Sequence, residues 1–119
     1  MTYRVLLESG NTIQADGSVR IRATGGTLGV SRHLYMAGWT IDHVVSGASI
    51  IPASHEDNAF PTKAAARAAA IGFWGRLSKR DRAVLSDSGL SYDEFNAKNI
   101  KASRAIKYLK ALLDMTDSA

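Results

Sequence analysis

The spacing of apolar residues changes period once along this chain. From Tyr3 to Ile51 the apolar positions come in short runs or alternate with polar ones, the pattern of strands. Tyr3 to Glu8 is a short apolar run closed by Ser9-Gly10-Asn11, a turn signal. Thr12 to Ala15 adds a short strand before Asp16-Gly17, a pair that favours two-residue hairpins. Ser18 to Ala23 alternates, with Val19 and Ile21 on one face and Arg20 and Arg22 on the other. Further strands are expected at Ser31 to Met36, Gly38 to Val45 and Ala48 to Ile51, with Trp39, Ile41 and His43 sharing a face.

After a polar loop at Ala53 to Ala59 the period becomes helical. Pro61-Thr62 opens an alanine-rich helix from Lys63 to Leu77, whose Ala66, Ala70, Phe73 and Leu77 fall on one face. Ser78 with Asp81 starts a short helix, Lys79 to Ser88, with Gly89 as its C′ residue. Ser91 with Glu94 forms a capping box for a last helix, about Tyr92 to Met115, with an apolar stripe at Phe95, Ala102, Ile106, Leu109 and Leu113. The expectation is one α+β domain over residues 1–119, strand-rich in 1–60 and helical in 61–116. An N-terminal antiparallel sheet of about four to five short strands packs on about three C-terminal helices, and Thr116 to Ala119 fray.

Composition sharpens this. With 119 residues and 45% hydrophobic content, one core is affordable. The absence of cysteine excludes thiolate nucleophiles, disulfides and zinc–thiolate sites. The apolar run near the start is too short for a signal peptide, and no stretch reaches the ~18 apolar residues of a membrane span. A cytoplasmic protein without a membrane partner is expected.

Charge divides the chain as the periodicity does. Residues 1–60 hold four basic and five acidic residues, and residues 61–119 hold eleven and six. The net +5 of the second half suits an anionic partner, and it also suits a plain solvated surface. The densest cluster is Arg76, Lys79, Arg80 and Arg82, with Lys63 and Arg67 on the preceding helix. Tyr92 and Tyr108 are secondary contact candidates, since tyrosine serves well as an interface anchor.

Catalytic patterns are missing. His33, His43 and His55 lack the spacing of metal ligands, and there is no Gly-x-Ser-x-Gly elbow. Gly25-Gly26-Thr27-Leu28-Gly29 lacks the Gly-Lys-Ser/Thr ending of a phosphate loop and reads as a flexible hairpin connection. No catalytic residue, metal or cofactor is assigned.

Two resemblances follow from particular residues. Strands followed by Ala59-Phe60-Pro61-Thr62-Lys63-Ala64-Ala65-Ala66 resemble integrase arm-binding and ethylene-response-type DNA-binding domains. That likeness implies strands in the major groove, with Arg20, Arg22 and Arg32 as the basic strand residues. Gly38-Trp39-Thr40-Ile41-Asp42-His43 with Ser46-Gly47, followed by the alanine-rich helix, is similar to small accessory proteins of phages and mobile elements, anti-CRISPR inhibitors among them. It implies a non-enzymatic inhibitor of host defence.

The leading expectation is a binding protein that occupies a larger protein or nucleoprotein complex with an acidic surface. Its contacts are Arg76, Lys79, Arg80, Arg82, Tyr92 and Tyr108. The alternative is DNA or RNA binding by the basic helical half or by the strands, through Arg20, Arg22, Arg32, Lys63 and Arg67.

Overall fold

The computed structural model describes residues 3–6, 11–51, 58–89 and 103–117. Among the described residues, five strands form two antiparallel sheets, and three helices follow. Strands β1 (Arg4–Leu6) and β2 (Thr12–Gln14) make a two-stranded sheet in which Val5 faces Ile13. Strands β3 (Val19–Arg20), β4 (Leu28–Arg32) and β5 (Trp39–His43) make a three-stranded sheet in that order. Its register sets Val19 against Val30, Val30 against Ile41 and Arg32 against Trp39. Ser49 and Phe60 extend β5 by single bridges to Asp42 and Trp39.

Alternation along β4 and β5 decides what each sheet face meets. Leu28, Val30 and Ile41 point into the main core, with Ile21, Ile50 and Phe60 beside them. Helix α1 (Lys63–Arg76) closes this core with Ala66, Ala69, Ala70 and Phe73. Helix α3 (Ser103–Asp117) adds Ala105, Leu109 and Leu113, all fully enclosed. Enclosing each such leucine contributes about 2 kcal/mol. The small alanines admit close approach, so α1 packs against β4, β5 and α3 together. The opposite sheet face is covered by the β1–β2 hairpin, whose Tyr3, Val5 and Ala15 form a second small core with Val44.

The helix starts follow local chemistry. Thr62 accepts from the Ala65 N–H at 3.1 Å to cap α1, and Ser78 accepts from the Asp81 N–H at 3.1 Å to cap α2 (Lys79–Leu85).

Several expectations shift. Asp16-Gly17 does turn the chain, but β2 and β3 belong to different sheets, so the turn is a corner and not a hairpin. The expected strand from Ser18 to Ala23 stops after Arg20. A 3-10 turn at Arg22–Thr24 follows, and the Thr24 hydroxyl donates to Ile21 O at 2.8 Å. The strand expected at Ser31 to Met36 lies earlier, at Leu28–Arg32, with Gly29 inside it. A Cβ on Gly29 would come within 2.5 Å of the Tyr3 ring, so this glycine makes room for an aromatic from another sheet. Ala48 to Ile51 forms a bridge in place of a strand. Helix α2 ends at Leu85 with Ser86 as its cap, three residues short of expectation, and Gly89 takes no part in capping it. Of the last helix, the portion from Tyr92 to Ala102, with its capping box and Phe95, lies outside the described residues.

Candidate functional site

The basic cluster spans the corner between α1 and α2. A helix leaves its last carbonyls without intrahelical donors. Here Trp74 O accepts from the Leu77 N–H at 3.2 Å, and Arg82, from the next helix, adds side-chain donors. Its Nε donates to Trp74 O at 3.0 Å and its Nη2 to Gly75 O at 3.2 Å. Arg76 folds back as well. Its Nη1 donates to Gly72 O at 3.0 Å, and its guanidinium lies 3.7 Å from the centroid of the Tyr108 ring. Tyr108 is half-buried, seated where Gly72 has no side chain. Lys79 and Arg80 are exposed on the first turn of α2. The corner therefore holds two arginines in fixed positions and presents two outward cations beside them. Tyr92 lies outside the described residues.

The second set of cations does not form one surface. Arg20 pairs with Gly29, on the face that carries Tyr3, whereas Arg32 pairs with Trp39, on the opposite face. Arg22 is exposed on the 3-10 turn. Arg32 and Lys63 do meet: their charged groups lie 5.0 Å and 5.4 Å from the Trp39 ring centroid. Arg67 is exposed one turn along α1 from Lys63. Arg32 also pairs with the exposed Asp16 at 3.5 Å.

Sequence reasoning missed the turn from His33 to Gly38, having assigned most of it to a strand. Leu34, Tyr35 and Met36 are 41%, 74% and 41% exposed, and Ala37 is exposed beside them. Four consecutive exposed apolar residues are costly in water and mark contact surfaces. The turn is nonetheless held by hydrogen bonds. His33 N–H donates to Gly38 O at 3.0 Å, and Tyr35 N–H donates to His33 Nδ1 at 3.1 Å. Gly38 has φ 121°, and a Cβ there would meet Ala59 and Phe60 O within 2.8 Å. The available signal was Gly38 between two strand-forming segments, where a turn had to fall.

Two titratable side chains are enclosed on β5. Asp42 Oδ2 accepts from Tyr3 Oη at 2.7 Å and from Ser31 Oγ at 2.6 Å. Burial pushes its carboxyl above the ordinary range, opposed by the two hydroxyl donors and by nearby His33. Burial likewise pushes the Tyr3 phenol up, and the Asp42 charge adds to this. His43, on the other face, places Nε2 2.8 Å from Leu85 O and Nδ1 2.7 Å from Ser46 Oγ. A carbonyl only accepts, so Nε2 carries the proton and Nδ1 accepts from Ser46. Burial pushes this imidazole down, so it stays neutral. Both groups serve as ties between layers: Asp42 holds the β1–β2 hairpin and His43 holds the end of α2. Among the described residues, no three His, Asp or Glu side chains group to hold a metal, and no helix is long and apolar enough to cross a membrane.

Compared with protein families, with characterised proteins and with solved structures, the chain has no significant match.

Proposed function

We propose that this chain is a non-enzymatic binding protein that occupies an acidic surface of a larger protein or nucleoprotein complex. The observation behind this reading is the α1–α2 corner. Its Arg82 and Arg76 are held by backbone carbonyls and by Tyr108, which sets Lys79 and Arg80 outward on a fixed platform. A surface that serves only solubility does not need its cations positioned. Arg76 and Arg82, held in place, fix part of the charge pattern that selects a partner, and the exposed Lys79 and Arg80 supply the outward cations. Inhibition by occupation, the mode expected of a phage-type accessory protein, needs no further chemistry than this.

The test is affinity purification from the native host with wild-type protein and with the double variant Lys79→Glu, Arg80→Glu. Loss of a co-purifying protein complex with the variant supports the reading. Retention of every partner by the variant refutes the assignment of the corner. A gel shift on duplex DNA and on single-stranded RNA at several salt concentrations separates the alternative: binding that falls steeply with salt identifies a phosphate partner.

A further inference from the structure

The α1–α2 corner supplies charge, and charge alone gives modest specificity. A second surface lies at the other end of α1. Lys63, the first residue of α1, stands over Trp39, and Trp39 follows directly on the exposed His33–Gly38 turn. The turn projects one large ring, Tyr35, with Leu34 and Met36 as half-exposed shoulders. Arg32 and Lys63 stand at its base.

We propose that the β4–β5 turn is a protein-docking anchor. Tyr35 enters an apolar pocket on a partner protein, Leu34 and Met36 seal the lip, and acidic side chains of the partner face Arg32 and Lys63. The proposal rests on the binding function given above and locates its specificity.

Three features carry it. First, the shape is that of an interface hot spot, a central aromatic ringed by apolar contacts that exclude water. Second, the turn is preorganised by the His33–Gly38 and His33–Tyr35 hydrogen bonds and by the seat of Gly38 on Ala59 and Phe60, so docking orders little new structure. Third, among the described residues the cations Arg32, Lys63 and Arg67 outnumber the one neighbouring carboxylate, Asp16. These cations suit an acidic rim on the partner. A single projecting ring is too small an apolar area to hold a lipid surface, which takes two insertion signals. Tyr35 has a plane on which a base can stack, but its neighbours Leu34 and Met36 offer bases neither hydrogen bonds nor a second plane.

The test places a benzoylphenylalanine photocrosslinker at position 35, and separately at position 80, in the full chain expressed in its native host. Adducts from position 35 that map to a protein segment combining apolar residues with Asp or Glu are expected. Tyr35→Ala should then weaken binding of that isolated partner about 30-fold, and Arg32→Glu should weaken it further, with melting temperatures unchanged for Tyr35→Ala. Adducts from position 80 without any from position 35 overturn the anchor and leave the binding function standing. Adducts from neither overturn both. Adducts from position 35 to nucleic acid, to lipid or to a second copy of the chain overturn the anchor, as does a Tyr35→Ala variant that binds normally.

Discussion

The phenol of Tyr3 donates to the carboxylate of Asp42 at 2.7 Å, across the gap between the two sheets. Ser31 shares the same oxygen, so one acceptor fastens the β1–β2 hairpin to β4 and β5.

The stability of this clamp depends on pH in an unusual direction. Burial raises the Asp42 carboxyl above its unfolded value. A raised acid binds its proton more tightly in the folded state, so its contribution is fully present below the ordinary carboxylate value of about 4 and is lost as pH rises through the raised value. Asp42→Asn keeps an acceptor oxygen and has no such titration. Thermal melts across pH 3–8 should show the variant gaining on the wild type as pH rises. Parallel curves for the two proteins would show that Asp42 is not the titrating group.

His43 behaves in the opposite sense. Its imidazole is pushed down by burial, so its contribution is present above the ordinary histidine value of about 6.5 and is lost as pH falls through the lowered value. Protonation removes the lone pair that accepts from Ser46. His43→Ala also strands the Leu85 carbonyl and opens a cavity, at a cost of about 3 kcal/mol. Urea denaturation at pH 7.5 measures that cost, and a change under 1 kcal/mol would contradict the tie.

Gly29→Ala tests the fit between the two sheets. The added methyl meets the Tyr3 ring at 2.5 Å, and that ring is buried and tied to Asp42. A loss of about 2 kcal/mol is expected from overpacking. The double variant with Tyr3→Leu should recover part of it, and additive losses would place the clash elsewhere.

The arginines of the α1–α2 corner divide by role. Arg82→Ala removes two donors from the end of α1 and should cost about 1 kcal/mol, discounted for the partial exposure of the side chain. Lys79→Ala and Arg80→Ala should stay within about 0.5 kcal/mol. Chemical denaturation of the three variants decides whether the cluster contains one capping residue and two free ones.

Features of the fold that depend on neighbours in sequence were legible. Thr62 and Ser78 cap helices as their local pattern predicts, and Ala66, Ala70 and Phe73 of α1 face the core at helical spacing. Features set by distant partners were not. Gly29 looked like a loop residue because the Tyr3 ring that requires it lies 26 positions earlier. Leu34, Tyr35 and Met36 form an apolar run that suits a strand, but the His33 ring takes the Tyr35 N–H in a turn. The basic cluster was visible as composition, while the use of Arg82 as a cap depends on how two helices meet.

The 14 residues of α1 add a last consequence. At a rise of about 1.5 Å per residue they hold the Tyr35 end and the Lys79 end about 20 Å apart. Helix α1 thus works as a ruler. A single partner touching both ends must offer its pocket and its acidic patch at that span, and a smaller partner can engage only one end at a time.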